Sequence, residues 1–118
     1  MSQIAQFFLM KGGEKLQELP DAGCSGEVYT VLLSHLEEKL EFDCRTDVWN
    51  DDLMDCAEFD LPLARNVLKE VGNSAEEVAG EIAREWELPQ ERVEAAWKAL
   101  LSYLTQVTEE VSLRYELF

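Results

Sequence analysis

Six apolar residues, Val93, Trp97, Leu100, Leu104, Val107 and Val111, succeed one another at steps of 4, 3, 4, 3 and 4. That stepping returns each side chain to one face of an α-helix and matches the inner seam of a bundle or coiled coil. Taken from Gln90 onward, it predicts a helix of about 22 residues, about 33 Å long at roughly 1.5 Å per residue. Ala96, Ala99, Leu101 and Tyr103 widen the stripe. A helix this apolar needs cover on more than one side, so it is expected to be a central strut of the domain or to meet a second copy as a homodimer.

Other segments repeat the helical spacing. Val28, Leu32, Leu36 and Leu40 recur every fourth residue between Gly26 and Glu41, with Tyr29 and Leu33 beside them and Ser25 standing as N-cap. Over 47–59, Trp49, Leu53 and Cys56 mark one helical face while Asp47, Asp51, Asp55 and Glu58 mark another. Pro62 suits a first helical turn, Leu63, Val67 and Leu68 lead on to Val71, and Gly72 is the expected stop. Ser74 and Glu77 have capping-box spacing and open a helix expected to bury Val78, Ala79, Ile82, Ala83 and Trp86. Residues 1–10 fit a short helix or a strand, and Leu113, Tyr115, Leu117 and Phe118 alternate as in a short strand. The expectation is an all-α single domain over residues 1–118, a compact bundle of about five to seven helices with a long C-terminal helix. Strand pairing of the termini would be a minor addition to it.

Several classes of function find no support in the residues. No run reaches the roughly 18 apolar residues of a membrane span. The apolar start Ile4–Met10 has no basic residues ahead of it, so a cytoplasmic chain without a signal peptide is expected. Three cysteines, Cys24, Cys44 and Cys56, lie 20 and 12 residues apart. With the single histidine, His35, they match no zinc knuckle, and reduced thiols are the expected state. Lys11-Gly12-Gly13 is too short for a phosphate cradle, and no nucleophile or metalloprotease motif occurs. The chain is accordingly read as non-enzymatic, with no cofactor and no metal.

Charge is the strongest remaining signal. Asp and Glu number 25 against 10 Lys and Arg, a formal net charge of −15. Residues 37–60 hold ten of the acids (Glu37, Glu38, Glu41, Asp43, Asp47, Asp51, Asp52, Asp55, Glu58 and Asp60) and only two bases, Lys39 and Arg45. Nucleic acid and anionic membranes need cationic patches, so neither is an expected partner. Crowded carboxylates cost a few tenths of a kcal/mol per like-charged helical pair, roughly, which folding alone does not require. They suit a solvated face or a docking surface for a basic protein, with Trp49, Phe42 or Met54 as anchors if exposed. A metal box of Asp47, Asp51, Asp55 and Glu58 lacks the loop glycine of an EF-hand.

From Ser74 to Leu104 a capped helix, a turn at Leu88-Pro89 and a second helix carrying Val93 follow a helix-turn-helix layout. The three-helix unit at about 63–112 resembles the helical half of winged-helix and PqqD-like domains. The resemblance implies an adaptor or regulator that binds DNA, a protein or, in the PqqD-like case, a peptide laid along a sheet edge. Gln90, Glu91, Arg92, Glu94, Ala95 and Lys98, which would face a groove, carry no net positive charge, and no three strands are expected before Leu63. The leading expectation is therefore an acidic interaction protein that inhibits or regulates a basic, often nucleic-acid-binding, partner, as immunity proteins, antitoxin-like inhibitors and DNA mimics do. Its expected contact residues are Glu37, Glu38, Glu41, Asp43, Asp47, Trp49, Asp51, Asp52, Asp55 and Glu58. The helix-turn-helix-like or winged-helix-like adaptor is the alternative.

Overall fold

Side chains that alternate between two environments build a sheet, and two short runs of this chain do so. Ala57 and Phe59 are buried while Glu58 between them is exposed; Leu113, Tyr115 and Leu117 enter the core while Arg114 and Glu116 turn to the other face. The computed structural model describes residues 5–20, 26–40, 55–72 and 74–117. Within them lie strands β1 (Ala5–Lys11), β2 (Glu14–Glu18), β3 (Asp55–Phe59) and β4 (Ser112–Leu117), and helices α1 (Gly26–Leu40), α2 (Leu61–Val71), α3 (Ala75–Glu85) and α4 (Gln90–Leu104). The strands form one antiparallel sheet in the order β2-β1-β4-β3. The all-α bundle is therefore corrected to a mixed α/β fold with four helices among the described residues. Nor is the terminal pairing minor, since β1 and β4 are the two central strands.

The β1–β2 hairpin is a local product of Gly12 and Gly13. Both adopt positive φ, 59° and 84°, as a two-residue primed turn demands, and glycine does so without a Cβ clash. A register shift opposite Leu9 and Met10 sets Leu16 apart from the ladder, and its side chain is exposed. In β3, alternation prevails over the helical reading of 47–59, because Ala57 and Phe59 reach the core only as a strand paired with β4. Residues 47–54 lie outside the described residues. Three strands thus do precede Leu63, contrary to the expectation from the sequence.

Helices cover one face of the sheet. Phe7 on β1 sits centrally, with ring centroids 4.9 Å from Tyr29 of α1, 5.3 Å from Tyr103 of α4 and 5.4 Å from Tyr115 of β4. These tilted and edge-on contacts tie the sheet to both helices. The α4 seam is real but shorter than its spacing: the helix ends at Leu104 and holds 15 residues. Thr105 Oγ1 donates to the Ser102 carbonyl at 2.6 Å. Thr108 Oγ1 accepts from the amides of Glu110 and Val111 at 3.3 and 3.1 Å. Hydroxyls that bond nearby backbone offer the chain an alternative to helix, and Val107 is buried in the resulting turn instead of a fifth helical turn. With the seam ending there, α4 packs inside the domain against α1, α2 and α3.

Helix ends depart from expectation in two places. Ser74 caps α3 without a side-chain bond to the helix start and gives its hydroxyl to the Glu70 carbonyl at 3.3 Å, so the capping box is not formed. At the other end of α3, Leu88 N–H reaches back to Ala83 O at 2.9 Å and Glu87 holds φ 54°. This is a Schellman ending whose left-handed position, normally glycine, carries a glutamate. Because a Cβ is strained there, Glu87→Gly is expected to raise stability by about 0.5–1 kcal/mol in urea unfolding. A loss of stability would mean that the Glu87 side chain holds the turn.

Candidate interaction surface

The expected acidic site is only partly visible. Glu37 is half-buried and Glu38 exposed in the last turns of α1. Asp55 opens β3, opposite Leu117 in the ladder. Glu58 is exposed and accepts the Ser112 hydroxyl at 2.7 Å. Asp60 is engaged as the N-cap of α2, accepting the Leu63 amide at 3.0 Å. Glu41, Asp43, Asp47, Trp49, Asp51 and Asp52 lie outside the described residues, as do Phe42 and Met54. Among the described residues no three His, Cys, Asp or Glu side chains are grouped to hold a metal ion.

A second carboxylate surface is fully described. On α3, Glu77, Glu81 and Glu85 are exposed at four-residue spacing, which lines them along one side of the helix. Arg84, the one cation of α3, donates its Nε to the Gly80 carbonyl at 3.3 Å. Among the described residues the ion pairs use only two carboxylates, Glu110 and Glu116. Among the described residues the α3 row therefore meets solvent without an ion-pair partner.

Trp86 ends this row and corrects the sequence reading. It was expected in the core, on the stripe of Ile82 and Ala83, yet it is 53% exposed. Helical spacing carries it toward the core, but α3 stops at Glu85 and the left-handed Glu87 swings the chain away before the indole is covered. Exposed glutamates stand on both sides of it, Glu85 and Glu87. The periodicity of 3.6 residues gave no warning of this, because it says nothing about where a helix end outruns its neighbours.

The face of the sheet away from the helices carries a different chemistry. There Arg114 Nε donates to Glu116 Oε1 at 2.8 Å, and Lys15 Nζ lies 3.1 Å from Oε1 and 3.2 Å from Oε2 of the same carboxylate. Arg114 and Glu116 are buried, and Lys15 spans the Phe8 ring at 4.0 Å from its centroid. Their aliphatic stems sit beside Phe8 and Met10, which are also buried on this face. An open groove of about 610 Å³ runs along it, lined by Met10, Glu14, Lys15, Glu58, Arg114 and Glu116. Sequence reasoning passed over Arg114 and Glu116, although their alternation with Leu113, Tyr115 and Leu117 was a signal that two charges share one face.

No protein-family model matches the chain, and neither a curated protein nor a solved structure matches it. No helix among the described residues is long and apolar enough to cross a membrane.

Proposed function

We propose that this protein is a non-enzymatic acidic interaction protein that binds and covers a basic surface of a partner protein, and so inhibits or regulates it. The observation that carries the reading is the α3 row of Glu77, Glu81 and Glu85 ending on the half-exposed Trp86. Carboxylates lacking internal partners steer a cationic surface into encounter. An indole between glutamates is a platform for an arginine guanidinium, which stacks on the ring while its donors meet carboxylates. Exposed tryptophan is also the residue type that most often dominates an interface energetically. On α4, the exposed Arg92 and Lys98 are offset by Glu91 and Glu94, so that face brings no net positive charge to DNA phosphates, which favours a protein partner over DNA.

The test begins with capture from the host at low salt, followed by stopped-flow association with the captured protein. A basic partner is expected whose on-rate falls steeply with salt. Glu77→Lys, Glu81→Lys and Glu85→Lys together are expected to slow association by about tenfold or more and to flatten its salt dependence. Trp86→Ala is expected to speed dissociation about tenfold or more, with folding stability within about 0.5 kcal/mol of wild type. Wild-type association of the charge-reversed protein at low salt would sink the reading. Specific retardation of a DNA duplex by the isolated protein would replace it with the helix-turn-helix alternative.

A further inference from the structure

We propose that the groove on the outer face of the sheet binds a small organic carboxylate, with Arg114 as the principal donor and Lys15 as the second. This site is separate from the α3 surface and does not depend on it. The argument starts from an arginine that folding leaves incompletely used. The Arg114 side chain is 9% exposed. Its Nε meets Glu116, and among the described residues no other acceptor is bonded to the guanidinium. Glu58 stands directly opposite Arg114 in the β3–β4 ladder, where it would be the obvious partner. Its carboxylate instead accepts from Ser112 Oγ at 2.7 Å. The two terminal nitrogens thus bond no acceptor among the described residues, and Arg114 forms part of the groove wall in a chain whose net charge is −15.

Glu116 prepares this arginine. By holding Nε at 2.8 Å it fixes the plane of the guanidinium, and by accepting Lys15 Nζ with both oxygens it brings the second cation alongside. An arginine fork pre-set in this way matches the two oxygens of a carboxylate in a bidentate pair. Glu14 and Glu58 also line the groove. They oppose a doubly charged phosphate more strongly than a singly charged carboxylate. The volume, about 610 Å³, lies in the range of small-molecule sites. Met10 offers an apolar surface for the remainder of the ligand.

Acetate is the probe. Titrated into the full-length protein at constant ionic strength against chloride, it is expected to give a saturable shift of the Arg114 Nε–H resonance in ¹H–¹⁵N spectra. Arg114→Lys is expected to weaken acetate binding about tenfold or more, since an ammonium cannot supply the fork, with circular dichroism verifying that the variant folds. Lys15→Gln changes a half-exposed side chain on an edge strand and is expected to weaken acetate about threefold or more. This second variant keeps the test decisive if the first fails to fold. A linear drift without saturation, or equal acetate affinity in Lys15→Gln, overturns the proposal. So does inorganic phosphate shifting the same resonance at lower concentration than acetate.

Discussion

Replacing Glu116 with alanine is expected to lower stability by about 3–5 kcal/mol, measured by urea unfolding. Arg114 and Glu116 are 7% and 4% exposed, on the central strand β4. Removing the carboxylate leaves a desolvated guanidinium whose only acceptor among the described residues is gone, and takes from Lys15 both oxygens that it meets. The loss comes mainly from that uncompensated charge. Glu116→Gln keeps an oxygen acceptor for Nε and is expected to lose clearly less. Replacing both residues by apolar ones, Arg114→Met with Glu116→Leu, is expected to be neutral or stabilising, because the desolvation of both ions disappears with their attraction. The stability of that double variant together with loss of acetate binding would identify the pair as kept for a ligand. A loss below about 1 kcal/mol in Glu116→Ala would mean that water reaches the pair in solution.

Trp97 is the second site of large effect. Its side chain is fully buried in α4, and Trp97→Ala is expected to cost about 3–5 kcal/mol through lost burial and the cavity left behind. Trp97→Phe is the sharper experiment. Among the described residues the buried indole Nε1 has no hydrogen-bond partner, and neither does Nε2 of His35, whose ring lies edge-on with its centroid 6.4 Å away. An unsatisfied buried donor costs about 1–3 kcal/mol, which phenylalanine removes while leaving a smaller void than alanine does. The expected loss for Trp97→Phe is thus about 1 kcal/mol or less. A loss equal to that of alanine would indicate that a buried water bonds the indole N–H in solution.

The helices were largely legible because their evidence is local. The recurrence of Val28, Leu32 and Leu36, the proline at the start of α2 and the Gly72 stop act within a few residues of one another. So does the hairpin signal of Gly12-Gly13, weighed above only as a phosphate cradle. The α3 surface was half legible. The glutamate spacing could be read from the sequence, but the exposure of Trp86 depends on where α3 ends and on the left-handed Glu87 beside it.

By itself the amino-acid order determined which runs are amphipathic helices, that the chain is strongly acidic, and that Gly12-Gly13 can turn tightly. Tertiary structure decided that residues 5–11, 55–59 and 112–117 become one sheet, that α4 stops at Leu104, and that Arg114 and Glu116 are buried together. The physical reason is the origin of the hydrogen bonds. A helix satisfies its backbone within four residues, whereas β4 takes its partners from β1 and β3, about a hundred and about sixty positions away. No window of sequence contains both sides of those ladders.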